Sequence, residues 1–313
     1  MRVPGWLLPA NTKARVGVAI LACYVVVAVI GPWFVESVLG LHATGISNDA
    51  LLPPSGAHPL GTTQEGQDVL AQLVVGTRSS LLVGVVAAAI STVLSVLIGL
   101  AAGYYGGFFD STLNAVTNVF LVLPGLPLVI VLAGYLRGSG GPMAVALVIG
   151  LTGWAWGART KRAQVLSLRN RDFVLNARLL GESDIRIMVR EILPNLAPLI
   201  SSTLMLAVVG SILAVSGLDF IGIGNIDSVT WGTMLYFAQS RQAIASGAWW
   251  WYIPPGLAIT VLGAAAALVN FGIDEVVNPR LRVARRGRSR RSKNAVGAAA
   301  VRTAVGPDER QAS

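Results

Sequence analysis

Few residues in this sequence could do covalent, metal or phosphate chemistry. There are two histidines, His42 and His58, one cysteine, Cys23, and three lysines, Lys13, Lys161 and Lys293. No His-Glu-x-x-His pair occurs, so there is no zinc-protease helix. No Gly-x-x-x-x-Gly-Lys-Ser/Thr run occurs, and none of the lysines follows a glycine, so no P-loop for ATP is expected. A single cysteine cannot form an internal disulfide. The sequence therefore predicts no catalytic residue, no metal site and no cofactor, and the chain is read as not an enzyme.

One segment is patterned for docking. The stretch 159–193 holds 8 basic residues. Asp172 can cap a short helix through Phe173, Val174, Ala177 and Leu180, which Gly181 breaks. Ser183 or Asp184 starts a second helix, which holds Ile185, Met188, Val189 and Ile192 and ends at Pro194. Helix, glycine, helix and proline together predict a compact elbow.

The elements that must carry this elbow are membrane spans. Of 313 residues, 54% are hydrophobic and 12% charged. A soluble domain carries about 25% charged residues. Mean hydropathy is +0.65. Six uncharged stretches reach the roughly 20 apolar residues that a helix needs to cross a bilayer. The spans are placed at 16–35, 79–104, 112–136, 142–161, 196–220 and 252–275. Continuous apolar runs favour helices over the alternating strands of a barrel. The fold class is all-α: a polytopic membrane protein of six helices with a cytoplasmic coupling-helix loop.

Basic residues orient the spans. With the N-terminus inside, the inside segments hold 21 of the 24 basic residues. The outside segments hold only Arg78, Arg137 and Arg241. This predicts both termini on the cytoplasmic side. The run 20–23 ending at Cys23 loosely resembles a lipobox, but the apolar stretch continues past it, so Cys23 is read as a helix residue. Both histidines fall in the first outside loop, which excludes an intramembrane Ser–His dyad.

The second span carries Ala87, Ser91, Ser95, Gly99 and Gly103 at four-residue spacing. Small residues in that register let another helix approach closely. Gly153 and Gly157, and Gly256, Thr260 and Ala264, make similar faces. In the third span Asp110 stands at a cap position, Asn114 and Asn118 lie one turn apart, and Pro124 and Pro127 interrupt the hydrogen bonding. A buried helix contact is the favoured reading for the asparagines, with a substrate contact second. No ionisable residue is placed near the middle of any span, which disfavours a proton- or sodium-coupled carrier.

Several motifs, taken in order, resemble one family. The run from Asp172 through Gly181 to Pro194 and Asn195 resembles the coupling loop of ABC-importer permeases. Gly181, Leu193 and Pro194 stand where that family has its glycine and Leu-Pro, and Ala177 fits its second alanine. Leu175 and Asn176 replace the glutamate and first alanine. His58-Pro-Leu-Gly-Thr62 and Gly66-Gln-Asp68 resemble the segment before the second span of C-type dipeptide and oligopeptide permeases; Thr63 and Gln67 replace an aspartate and an arginine. Similar matches are Gly76 to Gly84, Gly103 to Asp110, Asp219 to Gly224, Trp231 to Leu235 and Asn278 to Arg282. The resemblance spans about 58–282 and implies a permease domain over 1–282.

The resemblance implies a multi-part importer in a bacterial plasma membrane. A second, homologous permease subunit would share the translocation path. Cytoplasmic ATPase subunits would bind the elbow, and an extracytoplasmic substrate-binding protein would deliver the load. Ala177, Gly181, Glu182, Ser183, Asp184, Leu193 and Pro194 are the expected ATPase-coupling residues. Glu182, Ser183 and Asp184 would form the exposed tip. Di- or oligopeptides are the first substrate class; oligosaccharides or nickel come second within the family. A downhill channel or secondary carrier is the reading from another class.

Thr62-x-x-Glu65 has the form of a capping box, and Val69, Leu70, Leu73 and Val74 make an apolar stripe. A short helix on the outer membrane surface is expected there. Trp249, Trp250, Trp251 and Tyr252 suit an interfacial aromatic belt. The segment 283–313 reads as a basic, disordered cytoplasmic tail drawn to anionic lipid. Nothing else in the sequence supports nucleic acid as a partner.

Overall fold

The structure is a computed structural model that describes residues 12–135 and 141–277, with side chains to residue 272. Every regular element is a helix, and the described residues hold only one isolated bridge, between Thr62 and Asp68. The motif from Asn278 to Arg282 and the tail at 283–313 lie outside the described residues.

The helices are α1 (Thr12–Ser37), α2 (Val69–Tyr105), α3 (Gly107–Val122), α4 (Gly125–Tyr135), α5 (Gly141–Thr152), α6 (Trp154–Leu168), α7 (Asp172–Leu179), α8 (Asp184–Ile187), α9 (Leu193–Phe220), α10 (Trp231–Ser240) and α11 (Trp249–Val277). A π-helical turn, Met188–Ile192, joins α8 to α9. Five helical stretches are long and apolar enough to cross a membrane, and α3 with α4 makes a sixth if the bent pair is one span. The protein is a multi-pass, all-α membrane protein.

The third span differs from a straight rod. Between α3 and α4 the axis bends by 87°. Pro124 and Pro127 each remove a backbone donor, so the helix breaks at Leu123 and restarts. Asn118 is exposed and Asn114 half-buried, so neither makes the expected buried contact within this chain. The fourth span is broken by Gly153 into α5 and α6.

The outer-surface helix expected before the second span does not exist as a separate element. Its residues form the first turns of α2, which is continuous over 37 residues. The capping box is not at Thr62. Asp68 is the N-cap, and its carboxylate accepts the Ala71 amide at 2.9 Å.

α2 is the central post. Its small-residue face packs on α5 and α6 as expected. A Cβ at Gly99 would come 2.7 Å from the Ala158 carbonyl, and one at Gly103 would come 2.6 Å from Val165 Cβ. On its other side, a Cβ at Gly84 would come 2.1 Å from Ile212 of α9. Lipid gives little drive for helix association, so this close approach supplies the packing. The face of Gly256, Thr260 and Ala264 does not pack within this chain: Thr260 and Ala264 are exposed, and a Cβ at Gly256 would meet nothing within 4 Å. α11 meets α1 instead, where Gly17 lies against Ala265 and Leu268.

The helix ends opposite the elbow form a locked ledge. His58 Nδ1 lies 2.9 Å from Asp68 Oδ2, and Trp250 Nε1 donates to the Thr62 carbonyl at 3.1 Å. Trp231 is fully buried, and its amide donates to Ser80 Oγ at 3.1 Å. Trp251 is also buried, so of the expected tryptophan belt only Trp249 is half exposed.

Candidate functional site

The elbow is built as two short helices around a left-handed glycine. Asp172 lies in the first turn of α7 rather than at its cap; Arg171 is the N-cap and makes no side-chain cap bond. At the far end, the Gly181 amide donates to Arg178 O at 3.0 Å and the Glu182 amide to Ala177 O at 3.1 Å. This 5→2 and 6→1 pair is the Schellman motif, and it requires a residue with positive φ at C′. Gly181 has φ +77 and open space where a Cβ would stand.

The chain does not break at Pro194. The stretch Asp184–Phe220 is continuous helix. Pro194 has no amide to donate, and the helix absorbs this by widening: the Leu193 amide reaches back five residues to Met188 O. Leu193 and Pro194 therefore stand at the foot of α9, below the elbow tip, and are not part of the tip.

Inside the elbow, Val174, Ala177, Ile187, Met188 and Ile192 are buried against Leu100 and Tyr104 of α2, Val165 of α6 and Leu196 of α9. Ala177 thus packs inward. The outward face is apolar and uncovered: Leu179 is 86% exposed, Leu180 82% and Ile185 69%. Gly181, Ser183 and Asp184 are exposed beside them, and Glu182 is half-buried with Arg186 at 3.4 Å. Asp184 accepts the Tyr104 hydroxyl on one carboxylate oxygen at 2.7 Å. The Arg178 guanidinium covers the Tyr104 ring at 4.9 Å. Arg169 donates to Gly103 O at 3.1 Å, and Arg162 holds Asp110 in a two-point ion pair at 2.5 and 2.7 Å. The elbow is thus tied to α2, α6 and α9, and the Arg162–Asp110 pair ties α6 to α3.

Two ionisable groups at the ends of the spans placed from sequence, Lys161 and Asp219, are buried. Asp219, 3% exposed, accepts the Thr230 hydroxyl at 2.6 Å near the end of α9. A Cβ at Gly224 would fall 1.8 Å from its Oδ1, and one at Gly232 would fall 2.6 Å from its Cβ. Thr230 and Thr233 form a reciprocal capping box at the start of α10. The two motifs around Asp219 and Trp231 are thereby a structural clasp. Lys161 is 1% exposed, and its Nζ donates to Ser95 Oγ at 2.9 Å and Thr203 Oγ1 at 3.1 Å. The sequence carried a signal for Lys161. Gly153, Gly157 and Lys161 follow at four-residue spacing, which puts the lysine on the small-residue face. No group of side chains among the described residues could hold a metal ion.

Residues 95–283 match the family model described as binding-protein-dependent transport system inner membrane component. The oligopeptide transport system permease protein OppC of Mycobacterium tuberculosis is 34% identical over 241 residues, 77% of this chain and 82% of that protein. The dipeptide transport system permease protein DppC of Bacillus subtilis is 36% identical over 277 residues, 88% of this chain and 84% of that protein. A putative peptide transport system permease protein of Brucella suis is 36% identical over 273 residues, 86% of this chain and 88% of that protein. The chain belongs to the family of inner-membrane components of binding-protein-dependent transport systems, as an ABC-importer permease of the dipeptide, oligopeptide and nickel group.

Proposed function

We propose that this chain forms half of the translocation path of an ATP-driven importer of di- or oligopeptides, and that its elbow couples the path to a separate ATPase. A second, similar permease supplies the other half. An extracytoplasmic binding protein delivers the peptide. Both chain termini face the cytoplasm, and the basic charge of 283–313 would attract anionic lipid.

The observation that carries this reading is the elbow tip. Leu179, Leu180 and Ile185 stand out into water around Gly181. Large apolar side chains grouped on an exposed tip are stable in water when another protein covers them. Gly181 leaves room for that protein to come close, while Val174, Ile187 and Ile192 tie the tip to the spans. Gly181, Glu182, Ser183 and Asp184 make the docking surface; Ala177, Leu193 and Pro194 fix its angle to α2 and α9. The names of the relatives support peptide as the load.

The test is reconstitution. This chain, its paired permease and the ATPase subunits are placed in liposomes with peptide-loaded binding protein outside and ATP inside. Peptide should accumulate, and leaving out this chain should abolish accumulation. Equal uptake without ATP, or without the ATPase subunits, would contradict the proposal.

A further inference from the structure

A cavity of about 150 Å³ opens between α2, α6 and α9, with Lys161 at its head. Ser91, Ser95 and Thr203 line it with hydroxyls, and Gly157 leaves its wall bare. A Cβ at Gly157 would come 3.3 Å from the Lys161 Nζ. The rim is apolar: Trp156 is 58% exposed and Leu206 47%. A ligand polar at one end and apolar along its body fits that order.

The depth of the site matters. Ser95 lies ten residues before the elbow end of α2 at Tyr105, roughly 15 Å along the helix. That place falls within the apolar run of α2, which is long enough to cross a membrane. No carboxylate among the described residues pairs with Lys161. Its two hydrogen bonds go to neutral hydroxyls, and an ammonium has three donors. A buried cation without a counterion is costly, and a hydroxyl-bearing or apolar residue would join these helices at less cost. The cost is offset when an anion occupies the cavity.

We infer that this cavity is a carboxylate-binding site on the translocation path, where Lys161 takes the terminal carboxylate of the peptide in transit. The inference rests on the peptide-importer reading above. Ser95 and Thr203 aim the ammonium, and Trp156 and Leu206 flank the peptide body. Thr203 is a positioning residue, because it acts through Lys161.

The experiment uses the whole complex, both permeases and ATPases, in phosphatidylcholine nanodiscs without binding protein. Binding of one tripeptide is measured as the free acid and as the C-terminal amide. The free acid should bind roughly tenfold or more tighter, the scale of a hydrogen bond to a charged group. Lys161→Met should abolish that preference. Thr203→Val keeps the cation and should narrow the preference several-fold; it serves if the methionine variant does not assemble. Equal binding of acid and amide by the wild-type complex, no binding of either, or an unchanged preference in Lys161→Met would overturn the inference. A Lys161 effect seen only when phosphatidylglycerol is added would assign the site to lipid phosphate and overturn it too. ATP-driven peptide uptake by the same complex in liposomes separates the two levels. Uptake without a Lys161-dependent preference refutes the site alone; no uptake refutes the importer reading.

Discussion

The Tyr104 hydroxyl donates to the Asp184 carboxylate at 2.7 Å, across 80 positions of sequence. This bond joins the end of α2 to the start of the second elbow helix. The Arg178 guanidinium lies over the same ring at 4.9 Å, so one aromatic side chain meets both arms of the elbow. α2 in turn packs on α5, α6 and α9, so in the proposed coupling a displacement of the tip would reach α2. Tyr104→Phe removes the hydroxyl and keeps the ring under Arg178. Its cost to stability should be about 1 kcal/mol or less, since the bond is partly exposed. Its effect on coupling should be larger: peptide moved per ATP hydrolysed should fall several-fold with assembly intact. Measuring uptake and phosphate release together checks this.

Packing along α2 gives a second prediction. Gly103→Val places a branched side chain where even a Cβ would come 2.6 Å from Val165 Cβ. Overpacking of this kind costs about 1–3 kcal/mol. The variant should show lower abundance in the membrane and a lower unfolding temperature in detergent. Gly210→Ala is the contrast, because a Cβ there meets nothing within 4 Å. Its abundance should match the wild type.

The ledge gives a third. Asp68 is both the N-cap of α2 and the partner of His58. Asp68→Ala should destabilise the chain by about 0.5–2 kcal/mol. Limited proteolysis of intact spheroplasts should then cut within 45–60 faster than in the wild type, while the elbow stays as resistant as before.

These contrasts show which features could be read from the sequence. The small-residue ladder from Ala87 to Gly103 was legible because its four-residue spacing fixes one helix face, and the structure packs that face. Gly181 was legible because a glycine between two amphipathic stretches has a local cause, the positive φ of a Schellman end. The bend at Leu123 was signalled by Pro124 and Pro127, but its 87° angle depends on tertiary packing. Pro194 misled because a π turn lets a helix pass a proline without ending. The motif at Thr62 misled in the same way: its hydroxyl donates to Asp49 O instead of capping a helix. Lys161 was missed because a lysine at the edge of an apolar run reads as the membrane boundary. Its burial depends on Ser95 and Thr203, which lie 66 and 42 positions away in sequence.

Topology gives the fourth prediction. Reporter fusions within 165–190 should read cytoplasmic, and fusions within 45–60 or 225–245 external. The division of basic residues, 21 against 3, sets this expectation. An external reading for 165–190 would put the elbow on the wrong side of the membrane for any ATPase.

If an ATPase docks on the elbow, the double variant Gly181→Trp, Glu182→Arg should uncouple it. Glu182 pairs with the exposed Arg186 at 3.4 Å, and Gly181 faces open space. Neither change touches a span, so insertion and abundance should stay near wild type, with a local cost of about 1–2 kcal/mol for a non-glycine residue at positive φ. The measurement is co-purification of the ATPase subunits with this chain, together with peptide-stimulated ATP hydrolysis in liposomes. The ATPase should be lost from the complex, or retained with stimulation abolished. Unchanged co-purification with unchanged stimulated hydrolysis would show that coupling does not pass through the elbow.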